Sequence, residues 1–322
     1  MVYAFDAYVA AALFVQEGAA FALGDGTVRF ETGETIPAHD GAVLCAVAHP
    51  SGSGLITGGD DGRLVWSRPS GAETLADLKG KWIDAVDASP ATGLIAFAAG
   101  RDLHVRDIAD AAFARTFRHE RSVAAVAFDP KGRRIAAATY GAAALWYARI
   151  ADQKPQMLKW AGAHVGLIWS LDGKFLISSM QENALHGWRI ADAKDMRMGG
   201  YPAKVKSMAF LARGMMLATS GAQGAVIWPF GGANGPMGKQ AAEIGYDQSA
   251  MVTRVAAGQM ETCVAAGLDD GRVWSARLEG SGLKPIKSEK GAPISALSVS
   301  PDGLRVAWGD EDGGAGVADM PA

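Results

Sequence analysis

The stretch "LITGGDDGRLVWSRP", residues 55–69, has the pattern of a strand, a tight turn and a second strand. Apolar, β-prone residues at 55–57 lead into glycines and aspartates, and the apolar run resumes at 64–66. An Asp-Gly pair between two such runs is a strong short-range signal of a β-hairpin. The stretch therefore predicts a hairpin.

The same hairpin pattern recurs eight times along the chain, at intervals of about 36 to 47 residues. In order, the segments are "LGDGTVRF" (23–30), "GGDDGRLVW" (58–66), "AAGRDLHV" (98–105), "ATYGAAALW" (138–146), "SMQENALHGW" (179–188), "SGAQGAVIW" (220–228), "GLDDGRVW" (267–274) and "GDEDGGAGV" (309–317). We number these repeats 1 to 8. A period of this length is typical of a four-stranded propeller blade.

A second signature precedes the hairpins: a short β-like run that ends in a proline-glycine or aspartate-glycine turn. Examples are "VAAVAFDPKG" (123–132) and "ISALSVSPDG" (294–303). Proline sets the first central dihedral of such a turn, and glycine accepts a positive φ. A looser edge strand precedes each run, which makes four short strands per repeat. With no helical periodicity, the pattern predicts an all-β chain.

Composition excludes several classes of function. The 322 residues are 49% hydrophobic and 20% charged, so we expect a large buried core. A net charge of -3 argues against nucleic-acid binding through phosphate neutralisation. No apolar run reaches the length of a membrane span, so we expect no membrane partner. Cys45 and Cys263 are predicted to be buried, reduced thiols. The apolar segment 7–15 lacks a basic leader, so we expect a cytoplasmic protein.

The order of histidine, "V..VAF.P.G" run, Asp-Gly hairpin and closing tryptophan resembles that of WD40 repeats and covers essentially the whole chain. Five repeats keep the tryptophan: Trp66, Trp146, Trp188, Trp228 and Trp274. The aspartate that follows it in the family is replaced each time, by Ser67, Tyr147, Arg189, Pro229 and Ser275. The resemblance implies one WD40-like β-propeller domain over residues 1–322, with degenerate repeats.

Repeat 2 is the best preserved copy. His39, Thr57, Asp61 and Trp66 match the positions at which WD40 blades resemble one another in a buried, hydrogen-bonded tetrad. His39 and Asp61 also suggest an acid–base pair, but no nucleophile accompanies them. We therefore interpret the four residues as a structural tetrad, in which buried polar groups satisfy one another.

The two ends of the chain suggest how the ring closes. Repeat 8 supplies only three strands, in "ISALSVSPDG", "LRVAWGDE" and "GAGVAD". The first six residues, "MVYAFD", align with the outer strands of other repeats. We therefore predict a single eight-bladed propeller of four-stranded antiparallel blades, with the N-terminal strand closing the last blade. The alternative is seven blades, with a weak first or third repeat misread.

No motif for catalysis or for metal binding is evident. The six histidines do not form a metal-ligand spacing, and no "GxSxG" nucleophile motif occurs. The "DDG" and "DEDG" turns lack the spaced oxygens of a calcium loop. We expect no catalytic residues, no metal and no cofactor, and therefore not an enzyme.

Basic and aromatic residues gather in the loops between outer and inner strands of repeats 3 to 6, which we call the basic arc. Its members are Lys79, Lys81, Trp82, Arg118, Arg121, Trp160, Tyr201, Lys204 and Lys206. Such residues form binding hot spots and attract charged partners. We hypothesise that the arc binds an acidic protein segment and that the protein is a non-catalytic scaffold or adaptor. The plainer interpretation is that these side chains only solvate the loops.

Two other functions remain open. An enzyme or small-ligand-binding propeller would use the central channel, although the inner strands are mostly Ala, Val, Ile and Met. A subunit of an obligate complex would suit surface methionines such as Met180, Met196 and Met198. The glycine-rich segment 231–246 is predicted to be a mobile excursion between the third and outer strands of repeat 6.

Overall fold

The alternation of apolar runs and turns folds into thirty strands over the residues that this computed structural model describes, 1–279 and 282–321. The first fifteen strands are β1 (Val2–Ala4), β2 (Val9–Val15), β3 (Gly18–Leu23), β4 (Thr27–Phe30), β5 (Thr35–Pro37), β6 (Val43–Ala48), β7 (Leu55–Gly59), β8 (Arg63–Arg68), β9 (Gly71–Asp77), β10 (Ala85–Ser89), β11 (Leu94–Ala99), β12 (Asp102–Asp107), β13 (Ala114–Arg118), β14 (Ala125–Phe128) and β15 (Arg134–Tyr147). The others are β16 (Gln156–Trp169), β17 (Phe175–Met180), β18 (Leu185–Arg189), β19 (Lys194–Met198), β20 (Met208–Leu211), β21 (Met216–Thr219), β22 (Ala225–Pro229), β23 (Ala242–Ile244), β24 (Val252–Ala257), β25 (Cys263–Leu268), β26 (Val273–Arg277), β27 (Lys284–Lys287), β28 (Ile294–Val299), β29 (Arg305–Asp310) and β30 (Gly314–Asp319). A single 3₁₀ turn, Ala212–Gly214, follows β20.

The strands form antiparallel sheets arranged as a β-propeller. Six sheets have four strands each, namely β2–β5, β6–β9, β10–β13, β20–β23, β24–β27 and β28–β30 with β1. The seventh has six strands, β14–β19. The first strand of one sheet contacts the first strand of the next, for example β2 with β6 and β6 with β10, which places these strands around the centre.

The N-terminal strand closes the ring, as predicted. Strand β1 pairs antiparallel with β30, with Val2 opposite Gly316. The amino group of Met1 also donates to the carbonyl oxygen of Val317 at 2.6 Å. Because β1 covers the outer edge of β30, the last sheet reaches four strands from two distant parts of the chain.

The structure has seven hydrogen-bonded sheets, so the prediction of eight separate blades is wrong and the alternative, seven, is the number of sheets. The reason lies in the six-stranded sheet, which carries repeats 4 and 5 together. Its strands β15 and β16 have fourteen residues each, about twice the length of the strands around them.

Each of these long strands serves two hydrogen-bonded partners. The first half of β15 pairs with β14, and its second half pairs with the first half of β16. The second half of β16 pairs with β17. The two halves of β15 fold back on each other at Gly141, whose φ is 86°. The N–H of Ala148 donates to the carbonyl oxygen of Arg133 at 2.9 Å, which joins the two ends of this strand. Strand β16 continues from repeat 4 into repeat 5 through Gly162, whose φ is 122°, and a register shift lies between His164 and Gly166.

The core lies between the faces of successive repeats. Ile56 and Leu64 of repeat 2, for example, pack against Ile95 and Phe97 of repeat 3. The described residues form eight such clusters, one for each junction between neighbouring repeats, including those of repeats 4 with 5 and 8 with 1. Each fully buried large aliphatic or aromatic side chain contributes about 1.5–3 kcal/mol, so these clusters hold the ring together.

The methionines expected at the surface belong to this core. Met180, Met196 and Met198 are 3%, 7% and 2% exposed. Met196 and Met198 fill space beside aromatic and aliphatic side chains of repeats 5 and 6. Because all three methionines are buried, they no longer support an obligate complex.

The glycine-rich segment lies between β22 and β23, where it was predicted. It packs on its neighbours: Met237 joins the cluster of Phe175 and Phe230, and Asn234 accepts a 2.7 Å hydrogen bond from Arg189 of repeat 5. The segment therefore packs on repeats 5 and 6 and does not project freely into solvent, as the predicted mobile excursion would.

Both cysteines are free and half-buried. Burial raises the pKa of the Cys45 thiol to about 12, so that thiol is protonated and unreactive at neutral pH. No helical segment in the described part of the chain has the length and hydrophobicity needed to cross a membrane.

Candidate partner-binding surface

The structure joins three residues of the predicted tetrad. Nδ1 of His39 lies 3.0 Å from Oδ1 of Asp61, and Nε2 lies 2.9 Å from Oγ1 of Thr57. Asp61 also accepts hydrogen bonds from the Arg63 guanidinium and the N–H of Asp40. Burial acts to raise the pKa of Asp61, but the hydrogen bonds from Arg63 and His39 outweigh it and lower that pKa to about 2. The carboxylate is therefore ionised and fixed in the turn.

Trp66 lies outside this cluster. Its indole N–H donates to the carbonyl oxygen of Ser53 at 2.8 Å. Its ring stacks on His49 with 3.9 Å between centroids, and the Arg68 guanidinium covers it at 3.8 Å. The hydrogen-bonded set in repeat 2 therefore has three members rather than four.

Two other repeats use their tryptophans in a way that the sequence reasoning missed. The indole of Trp146 contacts Nε2 of His119 at 3.1 Å, and that of Trp228 donates to the Tyr201 hydroxyl at 2.6 Å. Both pairs are separated by 27 residues, which is also the separation of His39 and Trp66. This spacing was the signal that could have found them.

Within the basic arc, the structure brings Lys81, Trp82 and Arg118 together. They line a depression of about 500 Å³ between repeats 3 and 4. Nζ of Lys81 lies 3.1 Å from Asp102, and Arg118 contacts both oxygens of that carboxylate at 2.8 and 2.9 Å. Trp82 is 64% exposed at the same depression.

Asp102 organises this site from below. It is buried at the start of β12, and its pKa is lowered because the hydrogen bonds from Arg118 and Lys81 outweigh the effect of burial. The side chains of Lys81 and Arg118 remain 46% and 60% exposed, so both keep donors free for another anion. The sequence reasoning did not select Asp102, which follows the hairpin turn at residues 100–101.

The other arc residues lie outside the lining of this depression. Lys79 and Arg121 are exposed in the two loops that flank it. Trp160 is 36% exposed and stacks on His186 at 4.0 Å. Lys204 donates to Gln181 at 2.7 Å, and Lys206 is exposed.

Tyr201 requires a correction. It is only 7% exposed, and its hydroxyl also bonds Oγ1 of Thr219 at 2.7 Å. Burial raises the pKa of this tyrosine to about 12. The residue supports repeat 6 from inside and is not placed to contact a partner.

Within the described residues, no group of three or more His, Cys, Asp or Glu side chains is arranged to hold a metal ion. The acidic turns are instead used internally. Asp270, for example, binds Arg272 at 2.8 Å and Lys290 at 3.3 Å.

Comparison with known proteins adds a sequence match and a structural likeness. The family model "WD domain, G-beta repeat" matches residues 31–66, which span β5 to most of β8. No curated protein sequence matches the chain.

Solved structures share the fold over nearly the whole chain. The computationally designed Ika8 protein is similar with a TM-score of 0.79 and 19% identity, over 98% of both chains. A chain of the mitotic checkpoint complex is similar with a TM-score of 0.67 and 17% identity, over 100% of this chain and 91% of that one. The β-propeller domain of Cps50 (Swd1) from Myceliophteria thermophila has a TM-score of 0.67 and 15% identity, over 85% of this chain and 95% of that one.

At such identities these likenesses bear on the fold and not on what the protein binds. The family model identifies a WD40 repeat at residues 31–66, and the structural likenesses show that the chain has the fold of a β-propeller.

Proposed function

We propose that this protein is a non-catalytic interaction scaffold that binds an acidic segment of a partner protein at the depression between repeats 3 and 4. The observation that supports this most is Trp82, a large aromatic side chain 64% exposed beside two cations. Exposed tryptophan next to arginine is the composition of interface hot spots. One of the similar structures is a chain of the mitotic checkpoint complex, which agrees with a role in protein assembly.

The charge around the depression favours an acidic partner. Residues 79–84, 101–102 and 118–121 include five lysines and arginines against three aspartates and glutamates. Lys81 and Arg118 both pair with the single buried carboxylate of Asp102. One negative charge therefore offsets two positive charges, and an incoming carboxylate meets a net positive charge. Such a surface raises the association rate with an acidic segment and loses that advantage in high salt.

We also propose a reducing, cytoplasmic location. Cys45 and Cys263 carry no disulfide, which agrees with a compartment that keeps thiols reduced.

The test is affinity capture of the tagged protein from its native host, beside a triple charge reversal, Lys79→Glu, Lys81→Glu and Arg121→Glu. A matched control reverses Lys131, Lys154 and Lys194, which are exposed lysines outside the depression. We expect a stoichiometric protein that the wild type and the control retain and the arc variant loses. Trp82→Ala alone should lower the affinity for that partner by about tenfold or more.

Retention of the partner by the arc variant would remove the proposed site, and absence of any protein partner from the wild type would remove the scaffold function. Thermal melting of all variants shows whether a loss of binding reflects a loss of folding. Lys81→Glu places a second carboxylate beside the buried Asp102, so we expect the arc variant to melt below the wild type, whereas the control variant should melt close to it.

A further inference from the structure

A second cavity, of about 620 Å³, opens onto the centre of the ring. The inner strands β6, β10, β14 and β16 form its wall, and Gln259 reaches it from repeat 7. The lining combines apolar side chains, such as Val47, Phe128 and Ile168, with polar groups, such as those of Asp87 and Gln259. The cavity volume lies in the range of small-molecule sites.

Two carboxylates line this cavity, and they differ in their partners. Oδ2 of Asp129 lies 3.1 Å from the Arg134 guanidinium, and its Oδ1 accepts the N–H groups of Arg133 and Arg134. Asp87, at the centre of β10, has no ion pair within the described part of the chain. It accepts one 2.7 Å hydrogen bond, from the N–H of Phe128 on the neighbouring inner strand.

The environment leaves the charge of Asp87 uncompensated. Among the described residues, no lysine or arginine lines the cavity. Burial raises the pKa of Asp87 to about 6, even though the N–H groups of Phe128 and Ala88 act in the opposite direction. At neutral pH the group is therefore mainly ionised, and a cation beside it would relieve the cost of that burial.

We propose that this cavity binds a small organic cation, with a protonated amine paired to the carboxylate of Asp87 and an apolar body against the β6, β10, β14 and β16 wall. The amine supplies the charge that the lining lacks, and the apolar body fits the Val, Ile and Phe side chains around it. This site is separate from the depression at Trp82 and does not depend on the scaffold function.

The test is isothermal titration of the purified protein with phenethylammonium and with its neutral analogue, phenethyl alcohol, at pH 7.5. We expect the wild type to bind the ammonium ion at least about tenfold more tightly than the alcohol. Asp87→Asn should bring the two affinities within about twofold, because the amide keeps an acceptor for the N–H of Phe128 but carries no charge.

Asp84→Asn is the matched control. Asp84 lies three residues earlier, lines the depression at Trp82 and does not line this cavity. The Asp84→Asn variant should bind phenethylammonium as tightly as the wild type does.

Three outcomes would overturn the proposal: no binding of phenethylammonium at millimolar concentration, equal binding of the ion and the alcohol, or unchanged preference in Asp87→Asn. In the last two cases Asp87 acts only as a cap for the Phe128 N–H. Saturation of the wild-type cavity should also shift Val47 and Ile168 methyl signals in NMR spectra, which separates this site from any ion bound on the surface.

Discussion

Asp87 and His186 respond to pH in opposite ways because burial opposes the charged form of each. The pKa of Asp87 is raised to about 6, and the pKa of His186 is lowered to about 4, with burial as the largest cause in both cases. Lowering the pH therefore neutralises the buried charge of Asp87 and creates a buried charge on His186. Each effect can be measured by a single substitution.

Asp87→Asn is expected to stabilise the protein above pH 6. A raised folded-state pKa means that the native state binds more protons than the unfolded state between about pH 4 and 6, so stability falls as pH rises through that window. Because an amide does not titrate in this range, Asp87→Asn removes this loss of stability. Urea unfolding at pH 7.5 should show a gain of roughly 2 kcal/mol, which disappears at pH 4. An equal gain at both pH values would contradict the electrostatic cause.

His186→Phe is expected to reduce acid sensitivity. His186 is fully buried against Trp160 and Trp188, and neither ring nitrogen has a hydrogen-bond partner among the described residues. Because its pKa is lowered, the unfolded state binds more protons between about pH 6.5 and 4, and the contribution of the neutral ring is lost as pH falls through that window.

The measurement for His186 is the melting temperature as a function of pH. The wild type should lose more stability from pH 7 to pH 4.5 than His186→Phe does. NMR titration of the wild type should place the imidazole well below its ordinary pKa, and an ordinary value would contradict the assignment.

At the residue scale, the resemblance to WD40 repeats grouped His39 with Asp61, and in the structure Nδ1 of His39 lies 3.0 Å from Oδ1 of Asp61. The sequence could not show that Tyr201 is buried, because a tyrosine in a loop has the same local pattern whether it faces solvent or the indole of Trp228.

At the scale of elements, the turn at Tyr140–Gly141 decides how repeat 4 is built. Gly141 has φ 86°, and a Cβ placed there would meet no atom within 4 Å. A side chain at position 141 would therefore destabilise the protein through its backbone conformation and not through steric crowding. This separates Gly141 from Gly132, where Ser89 and Thr92 leave no room.

Gly141→Ala is expected to lower the free energy of unfolding by about 1–2 kcal/mol, the cost of a left-handed conformation for a residue with a Cβ. Gly141→Asn should cost less, because asparagine tolerates positive φ. Urea titrations of both variants measure the difference. An equal loss in the two variants would show that something other than φ sets the cost.

Elements were predicted well by their turns, but their grouping into sheets was not. Each hairpin signal in the sequence marks the end of a strand pair and carries no information on whether the next connection breaks the strand. Between repeats 4 and 5 a single strand, Gln156–Trp169, continues through Gly162 despite its φ of 122°, so two repeats share one sheet. Only the three-dimensional register shows this.

At the scale of the whole molecule, ring closure depends on the first few residues. Strand β1 covers β30, and Tyr3 and Phe5 pack on Phe21 of repeat 1. An ion pair of Glu31 with Arg305 joins the same two repeats. Closure therefore combines backbone pairing, aromatic packing and charge.

Deletion of residues 1–4 is expected to lower the melting temperature by several degrees and to promote self-association, because the edge of β30 becomes free to pair with another molecule. Differential scanning calorimetry and light scattering measure the two effects. A synthetic peptide of residues 1–6, added in excess, should restore part of the melting temperature. A variant that melts as the wild type does would show that β1 does not hold the ring closed.

The candidate site was predictable only in part at this scale. The order of strands placed the loops of repeats 3 and 4 on one face, which brought Lys81, Trp82 and Arg118 into one neighbourhood. The role of Asp102 and the cavity at Asp87 depend on the distance between neighbouring sheets, which no local pattern encodes.

The shared sheet of repeats 4 and 5 also bears on the history of such a chain. Repeat proteins lengthen and shorten by duplication or loss of whole units, and each event needs a junction where the chain can be cut without exposing unpaired backbone. Strand β16 crosses the boundary between repeats 4 and 5, but its first half pairs with β15 and its second half pairs with β17. A cut between the two halves would leave each repeat with four paired strand segments, so gain or loss of one unit could occur at this boundary although a single strand crosses it.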